Sequence, residues 1–166
     1  REIIRITTVN TIPLTIVPLD ISHHPDLECT PERLDRLTKS LRERGAYTIA
    51  EVVRTLVDSE ATYFQFYTGQ NYGRYDQQPP QAPRTFAGPP IHDLTAVMVA
   101  RYPELFIIAQ KQVKVTMTGP EAGAIGEAQN HMNPDGNARV VIGLSHLGAA
   151  DLYWERVADA LATTYR

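Results

Sequence analysis

The spacing of apolar side chains in the first part of the chain predicts a strand followed by a helix. A run rich in β-branched residues, Thr11–Asp20, is typical of a buried strand in a parallel sheet, and polar residues follow it up to His24. Thr30 before a proline marks a helix start, and leucines at helical spacing carry that helix to Gly45.

A second helix and a long connection follow. The helix is expected to run from Thr48 to Tyr67. Its apolar face would consist of Val52, Val53, Leu56 and Val57. The segment from Thr68 to Pro90 is rich in proline, glutamine and aromatic residues. A connection of this length inside a compact domain is usually functional or mobile, so we expect it to border a site.

The second half of the sequence alternates helical and strand patterns. A helix is expected from Asp93 to Arg101, ended by Pro103, and strands are expected over 107–118, 124–129 and 138–143. A hairpin turn is expected at Asn133–Asn137. The last element is an amphipathic helix over 147–165, with Leu152, Trp154, Val157 and Leu161. Helices and strands that alternate early, with a hairpin late, predict an α/β fold with an open, mostly parallel but mixed sheet and flanking helices. We expect residues 1–166 to form one domain.

Composition narrows the classes of function. The chain has 166 residues, 43% of them apolar and 21% charged, and a net charge of −3, so no basic footprint for nucleic acid is present. No apolar run reaches membrane-spanning length and no secretory signal is evident, so a cytoplasmic location is expected, with a secreted or processed form left open. The single cysteine, Cys29, lies among acidic residues, which predicts an unreactive thiol.

The candidate chemistry centres on the dipeptide His92-Asp93. It lies in Gly88-Pro-Pro-Ile-His-Asp-Leu-Thr-Ala96, where the long connection meets a predicted helix start. The imidazole can donate a proton and the carboxylate can bind a metal ion. Considered alone, however, an aspartate at a helix start is more often an ordinary cap, and the histidine before it has no required role.

Two further pairs of side chains are candidates. Tyr63 and Tyr67 are four residues apart and so share one helix face, which suits either core packing or a binding wall. His23 and His24 follow the first strand, at the edge where ligands bind in α/β sheets. Neighbouring residues of a strand point to opposite faces, so these histidines are not expected to form a metal pair.

The order of these elements resembles the C-terminal part of the inosine-uridine preferring nucleoside hydrolase family. Members carry a strand like Pro-Leu-Asp-Val-Thr-His, which corresponds here to Pro18–His23. An element like Val-His-Asp-Pro-Ala-Ala follows, as at Ile91–Ala96, and then a segment like Asp-Pro-Glu-Leu-Phe, as at Tyr102–Phe106. The resemblance covers nearly all of the chain. Leu94 stands where many members have proline or alanine.

The resemblance implies a fold, a reaction and a site. The fold would be an open, Rossmann-like α/β sheet. The reaction would be hydrolysis of the N-glycosidic bond of purine or pyrimidine ribonucleosides, through an oxocarbenium-like ribosyl cation and with the help of Ca²⁺. Asp93 would be a calcium ligand, and His92 would protonate the leaving base or contact it. Tyr63 and Tyr67 would line the base side, and the segment from Thr68 to Pro90 would cover the nucleoside.

The family's other ligands are expected outside this sequence. Its calcium site depends chiefly on an N-terminal Asp-x-Asp-x-x-x-Asp-Asp cluster, and its ribose contacts on a Glu-Phe-Asn element, and neither occurs here. The chain also opens at Arg1 rather than at a methionine, as a fragment would. We therefore expect the isolated chain to be inactive unless a missing N-terminal half is supplied. The expected partners are that half, a ribonucleoside and further copies in a homo-oligomer, with no nucleic acid or membrane.

Two alternatives remain open at this point. The chain could be a shortened relative that has lost catalysis and acts as a binding or interaction module. It could also be an α/β domain unrelated to nucleosides, with His92-Asp93 as an ordinary helix start. A partner chain that carries the aspartate cluster, or such a cluster in the sequence before Arg1, would favour a hydrolase fragment over the shortened module.

Overall fold

The computed structural model describes residues 13–68, 87–116, 118–119, 124–127 and 136–164. The helices are α1 (Leu19–Ser22), α2 (Pro31–Glu43), α3 (Tyr47–Thr68), α4 (His92–Arg101) and α5 (Ala149–Thr164), with a 3₁₀ turn at Pro103–Leu105. The strands are β1 (Thr15–Ile16), β2 (Phe106–Lys111), β3 (Val113–Val115), β4 (Ile125–Glu127) and β5 (Ala138–Leu144). Within these ranges no helix is long and apolar enough to cross a membrane.

The main sheet is mixed and open, as the sequence predicts. Its order is β1-β5-β2, with β1 parallel and β2 antiparallel to β5, while β3 and β4 form a separate antiparallel pair. In the described part of the chain β1 pairs only with β5, so its other edge is open. The strand after the predicted hairpin turn pairs with β1 and β2, not with β4. Most of that turn lies outside the described residues.

Helices pack on one another and on the sheet around a shared core. α2 contacts both α3 and α5, and Phe106 on β2 meets Tyr153 on α5 edge to face, with 6.4 Å between ring centroids. The buried residues of the core are Ile21, Leu27, Leu37, Leu41, Ala50, Met98, Val99, Leu105, Phe106, Val141, Tyr153, Val157, Ala158 and Ala162. This core joins α1 and α4, which carry the candidate site, to the sheet.

Helix α2 begins where the sequence predicts. The side chain of Thr30 accepts a hydrogen bond of 3.3 Å from the backbone N–H of Arg33, and Pro31 occupies the first helical position, where its missing N–H costs nothing. After the last turn Gly45 adopts φ +80°, a left-handed conformation that glycine reaches without strain.

Three details of the sequence-based prediction are wrong. The strand predicted over 11–20 does not reach its expected end, because Leu19 and Asp20 belong to α1: the carbonyl of Pro18 accepts hydrogen bonds from Ile21 and Ser22 and so starts a helical turn. The strand predicted over 107–118 is interrupted at residue 112, and its parts β2 and β3 join different sheets.

The third error concerns the buried face of α3. Val52 and Leu56 are 47% and 64% exposed, whereas Ala50 is fully buried and Val53 packs against the core. The apolar positions of this helix span more than one flank. The flank that meets α2 is therefore set by packing and not by periodicity alone.

Candidate functional site

Helix α4 presents the candidate pair His92 and Asp93 in its first turn. The residue that caps the helix is Ile91, with φ −105° and ψ 83°, and no side chain forms a capping hydrogen bond. Asp93 is exposed and lies beyond the cap position, where its charge suits the positive end of the helix dipole. The interpretation of Asp93 as the capping residue is therefore wrong, and its carboxylate is not occupied by a cap.

The segment before His92 is anchored to the loop between α1 and α2. The carbonyl of Pro89 accepts a hydrogen bond of 3.0 Å from the N–H of Cys29, and a carboxylate oxygen of the buried Glu28 accepts one of 2.9 Å from the N–H of Ala87. The backbone at Gly88 comes so close that a Cβ there would lie 2.3 Å from the carbonyl oxygen of Cys29. These contacts fix the backbone that leads into His92.

The last residue of α1 and the residue that caps its C-terminus contact the ring of His92. The hydroxyl oxygen of Ser22 lies 2.8 Å from Nδ1 of His92, and the ring of His23 lies 4.9 Å from it at an angle of 47°. Ser22 and His23 are both buried, with 3% and 6% of their surface exposed. The cluster formed by Ser22, His23 and His92 is called the His92 cluster below.

The sequence analysis missed Ser22 and undervalued His23. It placed His23 and His24 on a strand end, where they would point to opposite faces, but α1 is helical and turns His23 alone toward His92. The nitrogen Nδ1 of His24 instead accepts a hydrogen bond from the N–H of Asp26. Proline at position 18 and an acidic residue two positions later are the signals of a helix start that could have found this arrangement.

Of the tyrosine pair, the structure describes the side chain of Tyr63 but not that of Tyr67. Tyr63 lies on α3 with 59% of its surface exposed, and it takes no part in the hydrogen bond or the ring contact of the His92 cluster. The side chain of Tyr67 lies outside the described residues, and so does most of the predicted covering segment from Thr68 to Pro90. Their proposed binding role stays a prediction.

Asp93 is the one metal ligand that the sequence predicts. No group of three or more His, Cys, Asp or Glu side chains that could hold a metal ion occurs within the described ranges. Calcium takes six to eight oxygen ligands, so Asp93 can be one ligand of such an ion but does not make a site with its described neighbours.

An open depression of about 590 Å³ lies beside α1, between the main sheet and the β3–β4 pair. Its lining is mainly apolar and includes Leu19, Ile125 and Ile142, each more than half exposed, together with Asp20. His92 and Asp93 do not line it. The depression is therefore separate from the His92 cluster.

Cys29 is predicted to resist alkylation in the native protein. It is buried beneath the segment that leads to His92, and burial is the main cause that raises the pKa of its thiol to about 11, with a smaller contribution from Asp58. The thiol form therefore predominates at pH 8. Iodoacetamide should modify the native chain much more slowly than the chain in denaturant, as followed by intact mass. Equal rates would contradict this burial.

The comparisons with known proteins identify the family of this chain. The sequence model of the inosine-uridine preferring nucleoside hydrolases matches residues 4–149, which include the His92 cluster and Asp93. The chain belongs to this family. No curated protein sequence matches it significantly.

A solved structure shows the same fold. The purine-preferring ribonucleoside hydrolase from Gardnerella vaginalis is similar with a TM-score of 0.56 and 18% sequence identity. The match covers 92% of this chain and 41% of that one, so this chain spans less than half the length of its structural relative. The open α/β sheet with flanking helices predicted from the sequence is confirmed.

Proposed function

We propose that this chain carries one wall of a ribonucleoside hydrolase site, which acts on purine or pyrimidine ribonucleosides. The observation that supports this most strongly is the His92 cluster. His92 and Asp93 form the His-Asp element of the family. The ring of His92 is held by the buried Ser22, and the carboxylate of Asp93 is exposed. A fixed proton donor beside a free carboxylate is what cleavage of an N-glycosidic bond requires of this wall.

The proposed reaction consumes one water molecule for each nucleoside. The bond between C1′ of the ribose and the base nitrogen breaks, and the bonding electrons leave with the base. His92 donates a proton to that base, which would otherwise depart as a poorly stabilised anion. The water oxygen bonds to C1′, and its proton goes to a carboxylate outside the described residues. The products are ribose and the neutral base.

Calcium and the opposite wall belong to the same proposal. Asp93 would supply one oxygen ligand, and the remaining ligands and most ribose contacts would come from an N-terminal half that this sequence lacks. Two features of the described residues support such a partner: β1 pairs with another strand on one side only, and apolar side chains of the depression beside α1 are exposed. Assembly into a homo-oligomer remains a prediction.

Product analysis tests the reaction class. The natural protein that contains this sequence is incubated with inosine or uridine, and ribose and free base are measured separately. We expect equal amounts of the two products, with water as the acceptor and no phosphate requirement. Tight nucleoside binding without product would instead identify a catalytically silent binding module. Neither binding nor product would contradict a nucleoside site altogether.

A further inference from the structure

The hydroxyl of Ser22 has two neighbours of different chemistry. One is Nδ1 of His92, at 2.8 Å, and the other is the backbone carbonyl oxygen of Leu19, at 3.4 Å, to which the hydroxyl donates. Ser22 is 3% exposed, so water competes little for its single proton. The carbonyl can only accept a hydrogen bond, whereas the imidazole nitrogen can donate or accept one.

The direction of the single hydroxyl proton of Ser22 decides which nitrogen of His92 carries a proton. If the hydroxyl proton points to Leu19, the oxygen of Ser22 accepts a hydrogen bond from Nδ1–H of His92. The neutral ring then carries its proton on Nδ1 and a lone pair on Nε2. The same arrangement serves the protonated ring, in which both nitrogens are donors. The opposite arrangement, with Ser22 donating to Nδ1, cannot serve the protonated ring at all.

The ring of His23 limits the orientation of His92 from a second direction. It is buried, and its centroid lies 4.9 Å from that of His92 at a tilt of 47°. Because Ser22 is the last residue of α1 and His23 caps its C-terminus, one short segment supplies the hydrogen bond and the ring contact.

We propose that Ser22 is a positioning residue for His92, whose hydroxyl accepts Nδ1–H and fixes the ring with Nε2 directed to the leaving base. This inference rests on the proposed function. It assigns to Ser22 no contact with substrate: the hydroxyl acts only through the imidazole. Loss of the hydroxyl would leave the ring free to change tautomer and orientation, with α1 otherwise intact.

The tautomer of His92 gives the first test. In the ¹⁵N-labelled 166-residue chain, ring nitrogen shifts are recorded at alkaline pH, where imidazoles are neutral, and His92 is assigned with a His92→Gln variant. We expect a protonated Nδ1 and an unprotonated Nε2 in the unmutated chain. A proton on Nε2 would overturn the inference without the need for any further variant.

Variants of Ser22 sharpen this test. Ser22→Ala should convert His92 to a mixture of tautomers, and Ser22→Thr, which keeps the hydroxyl, should restore the Nδ1–H form. The chain contains a matched control, because Ser145 lies 2.8 Å from Nδ1 of the exposed His146. Ser145→Ala should leave the His92 signals unchanged. A His92 spectrum that is the same with and without the Ser22 hydroxyl would contradict the inference.

Kinetics separate this inference from the proposed function. In the natural hydrolase, Ser22→Ala should lower kcat by about 10- to 100-fold with little change in KM, since misplacement of a reacting group costs this much. Ser22→Thr should recover most of that loss. If His92→Ala slows hydrolysis and Ser22→Ala does not, the positioning role fails while the proposed function stands. If neither variant slows hydrolysis, the proposed function fails.

Discussion

Under the proposed function, replacement of His92 by alanine is expected to lower kcat for inosine or uridine in the natural protein by about 10²- to 10⁴-fold, the usual contribution of general acid catalysis. Alanine removes the imidazole and with it the proton that His92 would give to the leaving base. Steady-state release of the free base measures the effect.

The leaving group supplies a sharper criterion for the same variant. A ribosyl substrate whose leaving group is already a stable anion needs no proton, so His92→Ala should cleave it at nearly the unmutated rate. His146→Ala is a matched control, because this histidine also has a serine hydroxyl at 2.8 Å from Nδ1 but is exposed and remote from α1 and α4 in sequence. Equal losses on both kinds of substrate would contradict an acid role for His92.

Gly88→Ala is expected to lower the free energy of unfolding by about 3 kcal/mol, at the upper end of the usual cost of overpacking. The added methyl carbon would lie 2.3 Å from the carbonyl oxygen of Cys29 and 2.7 Å from Cα of Thr30, and both are backbone atoms that cannot rotate away. The two segments must separate, which breaks the hydrogen bond from Cys29 to Pro89. Urea denaturation measures the loss.

A second glycine provides the control for this variant. A Cβ at Gly126 would meet nothing within 4 Å, so Gly126→Ala should change the free energy of unfolding by less than about 1 kcal/mol. Because the backbone at Gly88 packs against Cys29, Gly88→Ala should also make Cys29 accessible to alkylation. Equal stability of the two variants, or a Cys29 that stays protected in Gly88→Ala, would contradict the close packing described here.

The sequence predicts this fold well where a local signal decides the structure. The helix from Pro31 needs only its threonine cap, its proline and its leucine spacing, and the helix at His92 needs only the proline-rich segment before it and Pro103 after it. The sequence predicts the structure less well where contacts between residues distant in sequence determine it. Whether Val52 or Val53 turns inward depends on α2, which periodicity within α3 does not contain.

In the candidate site, too, local motifs can be predicted from the sequence and long-range contacts cannot. The His-Asp element identifies His92 and Asp93 from the sequence, because its motif is local. Ser22 lies 70 positions away from His92, and its role depends on a four-residue helix in a segment whose apolar pattern indicates a strand. A single turn of helix is too short to produce a periodic signal, so the sequence can mark only its start, and the contact between Ser22 and the imidazole is a matter of the tertiary structure.

The central claim is that this chain supplies one wall of a hydrolase site and that the opposite wall lies outside it. Calcium-dependent release of ribose from inosine and uridine tests this most directly, measured for the 166-residue chain and for the natural protein that contains it. We expect activity that EGTA abolishes in the natural protein and no activity in the 166-residue chain alone. Ribose release by the chain alone, at a rate comparable with that of the natural protein, would contradict the claim.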